Sequence, residues 1–183
     1  KHSPQCGKVP RINAVPNVQM LYKVEGIGGS HYTGTCPEDF MTQTHTDTLT
    51  PVPKNTLLYS IVIPAYNESR NILETVPGLA GALRGESIPF ELVIVNDNSI
   101  DDTGEIVVKL QQDYPEINLV NNPMPGGFGR AIRYGLDNIT GEVVAIVMAD
   151  LSDRPEDVVQ CYRTIEEGWD CVFGSRFTSG SKV

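Results

Sequence analysis

The sequence predicts an α/β domain with a mostly parallel, Rossmann-like sheet and helices on both faces. Two observations carry that expectation. Strand-length apolar runs alternate four times with helix-period segments, and the links between them are short. The runs are also continuously apolar rather than alternating, as strands covered on both faces must be. With parallel strands joined through helices, the crossovers are expected to be right-handed. A chain of 183 residues leaves room for one such domain and an appendage.

Residues 1–55 are rich in Pro, Gly, Thr and His, and show no sustained period of 2 or 3.6. They read as an irregular extension of unknown role, closing in TLTPVPKN. The texture changes at Leu57, so the domain is placed at 56–183. LLYSIVI is a first strand ended by Pro64. Behind it, Asn67 or Ser69 could cap a helix whose apolar residues fall at Ile72, Leu73, Val76, Leu79, Ala80 and Leu83, with Pro77 as a site for a kink. FELVIV is a second strand, followed by NDNSIDDT and the helix GEIVVKLQQDY. INLV is a short third strand, NNPMPGGFG a glycine-rich turn and RAIRYGLDNI a helix. EVVAIVM is a fourth strand, RPEDVVQCYRTIEEG a helix with Pro155 in its first turn, and DCVFG a fifth strand.

The formal charge is −9, and the 14 lysines and arginines are scattered. A phosphate-tracking nucleic-acid surface is therefore not expected, and an anionic ligand would need a metal between it and the protein. No run of eighteen apolar residues appears, so neither a membrane span nor a secretory signal is visible. Cys6, Cys36, Cys161 and Cys171 form no CxxC pair and do not combine with His2, His31 and His45 at zinc-finger spacing. They read as free thiols in a reducing compartment.

In open parallel sheets ligands bind outside the carboxyl ends of the strands. Those ends carry Pro64, Ala65, Tyr66, Asn67 and Glu68; then Asn96, Asp97, Asn98 and Ser99; then Asp150, Ser152 and Asp153; and finally Gly174, Ser175 and Arg176. Asp97, Ser99 and Asp153 also suit helix caps. Capping does not account for Asp150, nor for Asp97 and Asp150 standing at two strand ends together. Two carboxylates at one crevice suit Mg²⁺ or Mn²⁺, which takes few protein oxygens and completes its shell with substrate phosphates. A diphosphate ligand follows. The GGFG turn could add backbone N–H groups to it, although such turns before helices are common. A dinucleotide site fits badly, because IPAYNESR has no glycine where G-x-G-x-x-G would stand.

VIPAYNES, VIVNDNSIDDT, GGFGRAIRYG, VMADLSDRPED and DCVFGSRF, in that order and spacing, resemble the family 2 glycosyltransferases of GT-A fold, nearest to the polyprenyl-phosphate sugar synthases. The likeness covers roughly Leu58 to Phe177. It implies donor-binding roles for Pro64, Tyr66, Asn67, Glu68, Asp97, Ser99, Gly127, Arg130 and Asp150. It further implies a metal held by Asp150 with Ser152, and catalytic roles for Asp150 and for Arg176, which would face the acceptor phosphate. Two positions depart from the family pattern: Met148 stands where the first Asp of the DxD-type motif is usual, and Asn96 where the first Asp of a DD pair is usual. Family members also continue past GSRF, so the chain is expected to stop before an acceptor-binding half.

The expected activity is transfer of a sugar from a nucleoside diphosphate sugar, with Mg²⁺ or Mn²⁺, to a polyprenyl phosphate or a glycan hydroxyl. The expected setting is the cytoplasm or the cytoplasmic face of a membrane, reached through parts absent from this chain, in cell-envelope synthesis. A phosphate acceptor is already ionised, whereas a hydroxyl acceptor would require a carboxylate base. The alternatives are a donor-binding fragment without turnover and a nucleotidyltransferase. The latter would normally show a glycine- and base-rich stretch after the first strand, which IPAYNESR lacks.

Overall fold

The computed structural model describes residues 12–16, 21–23 and 57–175. In chain order the elements are β1 (Ile12–Pro16), β2 (Leu21–Lys23), β3 (Tyr59–Ala65), α1 (Ile72–Gly85), β4 (Phe90–Asn96) and α2 (Thr103–Leu110). They continue with β5 (Ile117–Asn121), α3 (Phe128–Leu136), β6 (Val143–Ile146), α4 (Pro155–Glu166) and β7 (Cys171–Ser175). The five strands expected from apolar runs are β3 to β7, with ends moved by a few residues.

The strands form one seven-stranded sheet in the order β1-β7-β2-β6-β3-β4-β5. β3 pairs in parallel with β4 and β6, and β4 with β5. The expectation of irregular structure throughout 1–55 is corrected at two stretches. β1 pairs in parallel with β7, and β2 runs antiparallel between β6 and β7. Two short strands separated by a few residues carry too few side chains to show a period, which is why neither was legible.

Every residue of β3 is buried, and its side chains divide by the twofold period of a strand. Tyr59, Ile61, Ile63 and Ala65 join the larger apolar cluster with Leu92 and Ile94, under α1, α2 and α4. Val62, Val93, Val95 and Val144 join a smaller cluster under α3. Helices thus cover both faces, as the continuous apolar runs require. Gly135 lets α3 sit close, because a Cβ there would collide with Val62 Cγ1 and touch Val95.

Two helix starts follow from local chemistry. Pro155 forces the preceding residue toward extended backbone, and Arg154 has φ −80° and ψ 136°, so α4 begins at the proline. Gly127, at φ +153°, is the residue before α3, a conformation that few residues other than glycine adopt. Neither Asn67 nor Ser69 caps α1, whose N-cap is Asn71.

Candidate functional site

The loops after β3, β4, β5 and β6 converge at the carboxyl edge of the sheet. They enclose a cleft of about 650 Å³ lined by Pro64, Ala65, Tyr66, Glu68, Asp97, Asn98, Gly126, Gly127, Phe128 and Met148. Five predicted donor-site residues therefore share one wall system: Pro64, Tyr66, Glu68, Asp97 and Gly127. Pro64 and Asp97 are buried, while Tyr66 is 56% exposed.

Asn67 and Ser99 lie beside the cleft and join its first two loops. The Asn67 N–H donates to Ser99 Oγ at 3.1 Å, and Asn67 Oδ1 accepts the Ile100 N–H at 2.9 Å. Asn67 and Asn98 hold left-handed backbone, φ +56° and +61°, which asparagine tolerates better than most residues. Asp101, which sequence reasoning passed over, extends the same joint. Its carboxylate accepts the Ser69 N–H at 3.2 Å, the Thr103 N–H at 3.1 Å and the Thr103 hydroxyl. The Thr103 hydroxyl, followed by the Ser69 hydroxyl and then the Thr103 and Ser69 amides, lowers the Asp101 carboxyl to about 2, against the opposing effect of desolvation. In turn, Thr103 Oγ1 accepts the Glu68 N–H at 2.9 Å.

Asp97 is only 6% exposed, and both its oxygens are engaged. Oδ1 accepts Asn122 Nδ2 at 2.6 Å, and Oδ2 accepts the Gly127 N–H at 2.7 Å. The amide expected to face a phosphate is thus donated to Asp97. Arg130 likewise turns its guanidinium back onto the carbonyls of Pro125 and Gly126, at 3.1 and 3.2 Å. Asn98 Nδ2 donates to the Met124 carbonyl at 3.0 Å. The glycine-rich loop is strapped by side chains from its own ends and from the loop after β4.

β6 ends at Ile146, two residues before Met148, and the chain then turns. Val147 and Ala149 are buried in the core at 1% exposure each, while Met148 between them lines the cleft. Asp150 and Ser152 are exposed on the turn, and Asp150 Oδ1 accepts the Ser152 N–H at 3.0 Å. Asp153 does not cap α4. Its Oδ2 reaches back five residues to accept the Met148 N–H at 2.8 Å. Ser99 caps no helix either, since α2 starts after Asp102. Arg176 lies outside the described residues.

No group of three or more His, Cys, Asp or Glu side chains gathers among the described residues. A divalent cation held by protein alone does not fit. One exposed carboxylate with a neighbouring hydroxyl does fit a hard cation whose other ligands are diphosphate oxygens and water. Cys161 and Cys171 are both buried, and burial pushes the Cys161 thiol up to about 12, with the Asp157 and Asp153 charges adding to the effect. Cys6 and Cys36 lie outside the described residues. No helix among the described residues is long and apolar enough to cross a membrane.

An open α/β sheet with a cleft outside the carboxyl ends of its strands is the architecture in which such sheets bind ligands. The family model for glycosyl transferase family 2 matches residues 60–183, and the chain belongs to that family. It is similar to a dolichol-phosphate mannosyltransferase of Pyrococcus furiosus, 33% identical over 124 residues, which are 68% of this chain and 34% of that protein. It is also similar to the dolichyl-phosphate beta-glucosyltransferase ALG5A of Trichomonas vaginalis, 36% identical over 103 residues, 54% of this chain and 32% of that one. The chain thus spans about a third of the length of these relatives. A mycobacterial protein of known crystal structure superposes with a TM-score of 0.52 at 22% identity, over 61% of this chain and 38% of that one, a likeness of fold alone. The expected GT-A class stands.

Proposed function

We propose that residues 56–183 form the donor-binding half of a glycosyltransferase that moves a sugar from a nucleoside diphosphate sugar to a polyprenyl phosphate. The carrying observation is the cleft at the carboxyl edge of the sheet, with Pro64, Tyr66, Glu68 and Asp97 on its walls and Met148 leading to Asp150. On this reading the exposed Tyr66, beside the cleft wall that Pro64 helps to form, receives the nucleoside, and the strapped 122–127 loop faces its phosphates. Asp150 with Ser152 would hold Mg²⁺ or Mn²⁺, and a cation bound there supplies neutralisation of the charge developing on the leaving diphosphate. Arg176 would meet the acceptor phosphate.

The acceptor class is supported by two relatives named for dolichol phosphate. It is also favoured by how the cleft's own carboxylates are used. Asp97 is tied to Asn122 and Gly127, and Glu68 Oε2 accepts Asn71 Nδ2 at 2.7 Å. An ionised phosphate needs no base from either, whereas a glycan hydroxyl would. The free, buried Cys161 thiol suits a reducing compartment, and we assign the reaction to the cytoplasmic face of a membrane. Since the chain spans about a third of its relatives, donor binding without turnover is the second reading.

Calorimetric titration of uridine and guanosine diphosphate, with Mn²⁺ and with excess chelator, tests the proposal. One of the two should bind, and only with metal. Asp150→Asn should weaken that binding by at least about tenfold. Binding unchanged in chelator would remove the metal, and no binding by either nucleotide would remove the donor site. Release of labelled sugar to a polyprenyl phosphate, against release to water or none, separates transfer from binding alone.

A further inference from the structure

Between the end of β6 and the start of α4, residues 148–153 fold back on themselves. At the end of β6 the last amide in the ladder's line, Val147 N–H, donates to the Val62 carbonyl at 3.0 Å. The next amide belongs to Met148, a half-buried residue past the end of β6, and a backbone donor in such a place requires an acceptor. Asp153 provides it from five residues on, its Oδ2 accepting the Met148 N–H at 2.8 Å. The buried Thr75 hydroxyl, from α1, donates to the Ala149 carbonyl at 2.9 Å and pins the near side of the turn.

The loop turns back with one residue at positive φ. That residue is Leu151, at φ +66°, and a bulky side chain adopts this conformation rarely. Such strain persists where surrounding contacts over-determine it. Here the contacts are the Asp153–Met148 tie, the Thr75 anchor and Pro155, which fixes the chain as it leaves. Asp150 sits between the pinned Ala149 and the strained Leu151, with its carboxylate exposed.

We propose that Asp153 is a positioning residue for the donor site: its bond to the Met148 amide holds the 148–153 turn in the shape that presents Asp150. This inference rests on the reading of Asp150 as the carboxylate that serves the nucleotide's metal. It assigns Asp153 no contact with metal or substrate, and it predicts that an oxygen acceptor at 153 matters while the charge does not.

The test uses the full chain with Asp153→Ala and Asp153→Asn. Two quantities are measured: Mn²⁺-dependent affinity for uridine and guanosine diphosphate, and amide hydrogen exchange over residues 147–154. Asp153→Ala should speed exchange at Met148 and weaken nucleotide affinity by about tenfold, as loss of an outer support to a metal ligand does. Asp153→Asn keeps an oxygen acceptor, so exchange should stay slow and affinity should remain within about threefold of the parent. Alanine binding as well as the parent would overturn the inference. So would asparagine losing affinity while exchange at Met148 stays slow, since that marks a direct need for charge, and this arm decides if the alanine variant fails to fold. A parent chain that binds neither nucleotide overturns the donor-site reading and this inference with it, an outcome distinct from either variant result.

Discussion

Position 148 shows how one side chain can be judged by its neighbours. Val147 and Ala149 are buried in the core, and the intervening Met148 lines the cleft. A thioether there offers a hard cation nothing, so on the proposed reading of a metal at Asp150, that residue is left to supply the carboxylate charge of the DxD-type pair. Met148→Asp should therefore tighten Mn²⁺-dependent nucleotide binding by about tenfold, because ligand charge tunes such sites. Calorimetry on the variant checks this. A fall in melting temperature with no gain in affinity would instead mean that residue 148 behaves as core, where an unpaired carboxylate is costly.

The glycine-rich helix α3 shows the same logic for a whole element. It covers its face of the sheet through Ala131 and Tyr134 packed on the valines of β3, β4 and β6. It approaches closely because Gly135 carries no side chain toward Val62 and Val95. Gly135→Ala should destabilise the fold by about 1–3 kcal/mol through overpacking. Gly129, on the same helix, has open space where a methyl would stand, with no atom within 4 Å, so Gly129→Ala should be neutral or slightly stabilising from helix propensity. Thermal melts of the two variants decide it, and equal effects would mean that α3 does not sit where the structure has it. Since α3 starts just after Gly127, its seating also sets the strapped loop above the cleft.

For the whole molecule the decisive feature is β2. Through Tyr22 it faces Val144 of β6 on one side and Cys171 of β7 on the other. β7, which carries the chain toward Arg176, thus joins the sheet through a strand drawn from the N-terminal extension. A proline within a strand paired on both sides removes a ladder donor and is poorly tolerated. Tyr22→Pro should cost at least about 1 kcal/mol, the net worth of one hydrogen bond, and chemical denaturation should show it as a lower midpoint. An unchanged midpoint would mean that the domain closes without residues 21–23.

The sequence by itself determined the layered α/β plan, because β3 to β6 and their helices are long enough for local period and apolar content to specify them. It also determined which loops would meet, since parallel strands send all their carboxyl ends to one edge. It could not determine β1 and β2, whose pairing is set by partners more than a hundred residues away. Nor could it assign Asp97, Arg130 and Asp153. An aspartate at a strand end reads alike as ligand, cap or tie, and only the distances to Asn122, Gly127 and Met148 choose between them. Identity and spacing locate a polar group along the chain. Its partner is a matter of three-dimensional reach, and the tertiary structure decided that.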